Sequence, residues 1–292
     1  MTVAASDMKT GAGTPGKPTR NHQPRRRANA RAGKWLSELW RPAVFVLVLL
    51  AVWWLVTAQG WVAPFILPSP QDTVETAAKN SAYLLQHTGV TTLETVLGFI
   101  IAFVVGELVA VLMIYSKSLE KTMYPLILFA QVIPKIAIAP LFVVWLGFGL
   151  EPKVFVAVLM AFFPIVISGM AGLKSVDPEI LELTSTMGAN PFKTFWKIRL
   201  PASLPQLLSG LKVAATLAVT GAVVGEFVGA NEGLGYVILQ ANGNIDTAML
   251  FAALIIMSLL GVLLFAIIQV AEWFLIPWHS SRRTLGASTV SS

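Results

Sequence analysis

The chain has 292 residues, of which 55% are hydrophobic and only 12% charged, with a mean hydropathy of +0.72. Soluble domains carry about 25% charged residues, so this composition excludes an ordinary soluble enzyme and points to a bilayer. The formal net charge of +6 does not indicate a nucleic-acid partner, because the basic residues are placed by topology, and the lack of cysteine excludes disulfides and thiolate metal sites.

The first 33 residues are rich in Gly, Pro, Thr, Asn and Arg and are expected to be a disordered basic tail. Gly11, Gly16 and Lys17 imitate the start of a phosphate-binding loop. The next residue is Pro18 where Ser or Thr would be needed for magnesium, and no strand precedes it. The chain therefore carries no ATP site of its own by this reading.

A spanning helix needs roughly 20 apolar residues. Six segments qualify, near 42–59, 90–115, 122–147, 153–173, 205–229 and 248–277, which predicts one all-α membrane domain over residues 34–280 with a short tail at 281–292. About 41 residues precede the first span, too many for the n-region of a cleaved signal, so it reads as a retained helix.

Between the first two spans, Ser69-Pro70 followed by Asp72 predicts a capped amphipathic helix. The second span carries Glu107, and Glu94 near its start. The third contains Pro134 and Pro140, each lacking a backbone donor, with Lys135 between them; the helix is expected to be kinked or interrupted there. Helical rise places Glu107 at a depth similar to that of Lys135, so an ion pair is one expectation and a solute-pathway role another. Beyond the fourth span, Asp177-Pro178-Glu179 opens a short helix running to about Met187. Gly188 then permits a sharp reversal, and Asn190-Pro191 begins a second helix whose Phe192, Phe195, Trp196 and Ile198 form an apolar face. Pro201 is expected to end that helix and set the angle into the fifth span.

The fifth span has stripes of small residues, Gly210-Ala214-Ala218-Ala222 and Gly221-Gly225-Gly229, spaced for close helix packing. Glu226 near its outer end and the following residues 229–238 suggest a tight external turn, with Glu226, Asn231 and Glu232 either hydrated or touching a docking protein or the pore mouth. With the N-terminus inside, 17 of the 21 Lys/Arg fall on the inner side and only Lys79 and Lys153 outside. That asymmetry predicts both termini in the cytoplasm.

Glu182, Gly188, Ile198 and Leu200-Pro201 keep the spacing E-x5-G-x9-I-x-L-P, although Leu183 and Thr184 replace the usual alanine pair. The stretch resembles the EAA loop of membrane subunits of bacterial ATP-binding-cassette (ABC) importers. The third span matches the pattern A-P-L-x-x-x-W-x-G-x-G through Ala139, Pro140, Leu141, Trp145, Gly147 and Gly149. With the Pro-Ser-Pro-led helix, it resembles the nitrate/sulfonate/taurine and pyrimidine or vitamin-precursor branch of those permeases.

The resemblance implies six transmembrane helices in a bacterial cell membrane and a coupling loop over 177–201. It implies Glu182, Gly188, Phe192, Phe195, Trp196, Ile198, Leu200 and Pro201 as the ATPase-coupling residues. It further implies cytoplasmic ABC ATPase subunits holding ATP and magnesium, an extracytoplasmic solute-binding protein and a second permease chain. No cofactor, catalytic residue or metal is expected on this chain. Glu107, Pro134, Lys135, Pro140 and Glu226 are the candidates for the translocation pathway. The competing reading is an ion-coupled secondary transporter using Glu94, Glu107, Lys135 or Glu226 as a relay. No inverted repeat relates the two halves, which weighs against it.

Overall fold

A computed structural model describes residues 29–276. The expected C-terminal tail at 281–292 and most of the expected N-terminal tail lie outside these residues. The first helix, α1 (Asn29–Ala58), already takes in positions 29–33 of that tail. The chain divides into two units, one ending at Val52 and the other starting at Trp53. In the first, the stretch from Val44 to Leu50 is a run of exposed apolar side chains such as Phe45 and Leu47, a surface suited to lipid.

The second unit holds α2 (Pro70–Lys79), α3 (Ser81–Tyr115), α4 (Lys117–Val132), α5 (Lys135–Leu146) and α6 (Leu150–Leu173). After these come α7 (Pro178–Thr186), α8 (Pro191–Thr194), α9 (Leu200–Gly229), α10 (Leu234–Gly243) and α11 (Thr247–Leu275). Helix α2 begins as predicted: Ser69 Oγ accepts from the Asp72 N–H at 3.0 Å, with Pro70 in the first turn. Helix α3 starts nine residues before the predicted second span, because the polar segment from Ser81 continues the same helix beyond the hydrocarbon.

The core is built from α6 and α9, with α3 against their other side. Without a hydrophobic force between helices in lipid, close approach of small residues carries the packing. An added Cβ at Gly221 would meet the Ala157 Cα at 2.6 Å, and one at Gly225 would meet the Lys153 Cα at 2.7 Å. Gly210 faces Ser168. Register therefore falls along α6 as it rises along α9, so the two are antiparallel. By the same test Gly98 meets Ala157 and Gly106 meets Ile165, so α3 and α6 run parallel. Two parallel spans joined through α4 and α5 require that pair to cross back between them. Five helices are individually long and apolar enough to span, and the α4–α5 pair makes a sixth crossing bent by 96°.

The bend is the interruption expected of the third span, but at one proline and not two. The break falls at Ile133-Pro134 alone; Pro134 precedes α5 in extended conformation, whereas Pro140 lies inside α5 without interrupting it. Lys153, assigned by sequence to the outer side of the membrane, is buried in the first turn of α6, with its ammonium 2.7 Å from Glu94 Oε1. Its partner is 59 positions away, a pairing that hydropathy cannot signal.

Candidate functional site: the loop between α6 and α9

Helix α7 opens as its sequence dictates. The Asp177 side chain accepts from the Glu179 N–H at 3.0 Å and Pro178 occupies the first turn. It closes at Met187, and Gly188 takes φ +70°, the left-handed conformation that Gly adopts without strain and few other residues tolerate. Asn190 then caps α8 by accepting from the Phe192 N–H at 3.0 Å. All three local signals stand where the sequence put them.

The end of the second helix does not. Pro201 was expected to break it, yet the chain runs from Pro191 to Gly229 as one 39-residue helical segment. The junction is a π-helical turn, Phe195–Arg199, in which the Leu200 N–H bonds back five residues to the Phe195 carbonyl. The wider turn frees the backbone just before Pro201, where the ring would otherwise press on the carbonyl four residues earlier. Such turns cluster at functional sites.

The expected single apolar face also divides. Phe192 and Trp196 are exposed, at 68% and 53%, with ring centroids 6.1 Å apart. Phe195 turns the other way, toward Tyr115 at the end of α3 (6.2 Å between centroids) and the core around Met113 and Met170. Ile198, Leu200 and Pro201 are half-buried, so they seat the loop, while Glu182 and Gly188 are exposed. The sequence reading missed an outward stripe on α7: Ile180, Leu183 and Met187 are exposed at 47%, 60% and 77%. Their spacing of three and four residues was the available signal.

Several contacts hold the loop to the membrane core. The Arg199 guanidinium donates to the Leu173 carbonyl at 3.4 Å and Ser175 Oγ donates to the Gly172 carbonyl at 2.7 Å. Lys174 pairs with Glu120 at the start of α4. Gly172 lets the Ser203 backbone approach, since a Cβ there would meet the Ser203 carbonyl oxygen at 2.8 Å. The site is thus an exposed apolar surface mounted on a continuous helix and braced against the end of α3, the start of α4 and the end of α6.

The pathway candidates do not converge in the expected manner. Lys135 forms no pair with Glu107: its ammonium donates to the Gln131 carbonyl at 2.9 Å and lies 4.7 Å from the Phe163 ring centroid. The bend at Pro134 starts a new helix at Lys135, so the continuous-rise argument fails there. Both Glu107 carboxyl oxygens are buried without a hydrogen-bond partner among the described residues, and Oε2 would lie 2.5 Å from a Cβ on Gly169. Pro140 is exposed within α5. Glu226, expected to be hydrated or to touch a partner, is 1% exposed and accepts from Thr91 Oγ1 at 2.6 Å.

Among the described residues the fold is all-α, with six crossings and an exposed loop between the fourth and fifth, which defines a polytopic membrane protein. Residues 94–272 match the family described as the binding-protein-dependent transport system inner membrane component. The chain is 39% identical over 242 residues to the formylaminopyrimidine transport permease protein ThiX of Halalkalibacterium halodurans, covering 82% of this chain and 96% of that one. It is 29% identical over 249 residues to the aliphatic sulfonates transport permease SsuC of Bacillus subtilis, described as putative, covering 85% and 89%. Among solved structures, the MetNI methionine ABC transporter in an inward-facing conformation shares the fold, with a TM-score of 0.58 at 24% identity over 66% of this chain and 96% of that one. The chain belongs to the binding-protein-dependent transport permease family, in the sulfonate/taurine/nitrate branch. It is the membrane permease subunit of an ABC importer for small solutes, and ATP hydrolysis belongs to a separate subunit.

Proposed function

We propose that the α7–α8 surface is where this permease receives the ATPase, with Glu182, Gly188, Phe192 and Trp196 in contact and Phe195, Ile198, Leu200 and Pro201 seating the loop. The observation that carries this reading is the left-handed Gly188 between two capped helices, the second of which continues through a π turn into α9. A loop that merely joined two spans would be short and polar, without two exposed aromatic rings on a helix. ATP and magnesium are held by the partner ATPase. Its closure displaces α7 and α8, and α9 moves with α8 because no break separates those two.

On the same reading both termini are cytoplasmic, since the Lys/Arg asymmetry then obeys the positive-inside rule. The transporter is assembled from two copies of this chain, two ATPases and an external solute-binding protein. Within the small-solute class, identity favours a pyrimidine-type vitamin precursor: 39% to the formylaminopyrimidine permease against 29% to the sulfonate permease.

The test is a mild-detergent pull-down of the tagged chain beside Gly188→Arg, read by mass spectrometry. A phosphate-binding-loop ATPase should arrive with the parent and be lost with the variant. Retention of the ATPase by Gly188→Arg refutes the coupling assignment. Uptake of labelled formylaminopyrimidine, competed by unlabelled formylaminopyrimidine and not by an alkylsulfonate, tests the solute class.

A further inference from the structure

Helix α10 begins without a cap of its own. Its N-cap residue is Gly233, which has no side chain and sits at φ +110°. The first N–H groups of any helix need acceptors from outside its ladder. Here three successive ones are supplied by buried side chains of other helices. The Gly233 N–H donates to His87 Nδ1 at 2.9 Å, the Leu234 N–H to Thr91 Oγ1 at 2.7 Å, and the Gly235 N–H to Glu226 Oε2. The Thr91 hydroxyl donates in turn to Glu226 Oε1 at 2.6 Å. Thr91 and Glu226 are 0% and 1% exposed, so water does not replace these bonds. A carboxylate is also the charge that a helix N-terminus favours.

The glycines make this approach possible. A Cβ on Gly235 would meet Glu226 Oε2 at 2.7 Å, and one on Gly233 would land on the same carboxyl. Directly below, the Lys153–Glu94 pair ties α6 to α3, and Gly225 lets the backbone of α9 close on Lys153. A further bond, Tyr83 Oη to Gln240 Oε1 at 2.8 Å, fastens the far half of α10 to α3. Glu226 stands three residues from the end of α9, and the opposite end of that helical segment is the α8 surface.

We propose that His87, Thr91 and Glu226 are positioning residues for transport, fastening the external turn at 230–235 and α10 to α3 through His87 and Thr91 and to α9 through Glu226, so that these helix ends move as one piece. Displacement of the inner loop then reaches the external face. This inference rests on the coupling assignment under Proposed function.

A cap that serves stability alone predicts the same contacts, so the test must read movement. The chain lacks cysteine, and Glu232 is exposed beside the capped residues, so Glu232→Cys supplies a single label site. The co-purified permease–ATPase complex is reconstituted in lipid. Maleimide labelling of that cysteine is timed without nucleotide and after trapping with MgATP and vanadate. In this background the labelling rate should change roughly tenfold on trapping; with Thr91→Val the ratio should fall to about one, while the ATPase stays bound. Thr91→Ser, which keeps the hydroxyl, should restore it. If Thr91→Val does not insert, Glu226→Gln is judged by the same ratio.

A nucleotide response retained without the hydroxyl, or absent from the Glu232→Cys parent, overturns the proposal. So does loss of the bound ATPase in Thr91→Val, since that places the residue in general folding. If Gly188→Arg keeps its ATPase while Thr91→Val flattens the labelling ratio, the coupling assignment fails and the fastening of the turn stands.

Discussion

Gly221→Ala tests the packing that organises the whole fold. The new Cβ would lie 2.6 Å from the Ala157 Cα, 2.9 Å from the Val156 carbonyl oxygen and 3.0 Å from the Ala157 nitrogen. All three are backbone atoms of α6, so no rotamer change relieves the contact. Carbon atoms in contact sit about 3.5–4.0 Å apart, so α6 and α9 must separate by about 1 Å at this level. Overpacking of a closed interface costs about 1–3 kcal/mol, and the upper part of that range is expected where the obstruction is backbone. On the soluble-domain scale of about 2–4 °C per kcal/mol, the melting temperature should fall by about 4–12 °C. The assay is intrinsic tryptophan fluorescence during heating of the protein in lipid nanodiscs. Gly261→Ala in α11 is the control: nothing lies within 4 Å of its added Cβ, and alanine improves helix propensity by about 0.8–1.0 kcal/mol. Equal melting of Gly221→Ala and the parent would refute the closed α6–α9 seam.

Lys153→Met should leave Glu94 buried without its cation, a loss of about 3–5 kcal/mol, and should sharply reduce folded yield in size-exclusion profiles; Lys153→Met with Glu94→Leu should recover most of it. Glu107→Met should melt no lower than the parent and as much as about 1–3 kcal/mol more stably, because neither carboxyl oxygen has a partner to lose among the described residues. A lower melting temperature would mean that Glu107 meets a donor from another chain. At Gly188, whose surroundings are open, only the φ of +70° constrains the choice. Gly188→Asn should keep the ATPase in a pull-down, and Gly188→Val should lose it; equal capture of both would remove the conformational argument.

The legible parts of this chain are those fixed by local chemistry. Ser69-Pro70, Asp177-Pro178 and Asn190-Pro191 each start a helix where a side-chain acceptor and a proline stand together, and Gly188 turns the chain where a side chain would resist. The spans follow from apolar length, and the stripe through Gly221 and Gly225 does face a neighbouring backbone. What failed depends on partners distant in sequence or on a local alternative to a rule. The burial of Lys153 was not legible because its acceptor lies on another helix. Pro201 read as a terminator because the π turn that accommodates it leaves no mark in the residue pattern. Lys135 and Glu107 were set at one depth by counting helical rise across the expected break, and a bend of 96° at Pro134 makes that count fail. Glu226 looked hydrated because the turn that buries it is made of glycines and backbone, which carry no hydropathy signal.

The unbroken run from Pro191 to Gly229 has a consequence for where this permease is vulnerable. At 1.5 Å per residue its 39 residues measure about 58 Å, well over the hydrocarbon thickness. A tilt of about 5° about one end carries the other through about 5 Å on that length. A stiff shaft does not dissipate such a swing along its length; whatever slack the machine has is collected at its two bearings, the π turn below and the Glu226 joint above. Substitutions that idle the transporter without unfolding it should therefore gather at those bearings, and the middle of the shaft should tolerate exchange wherever volume is kept.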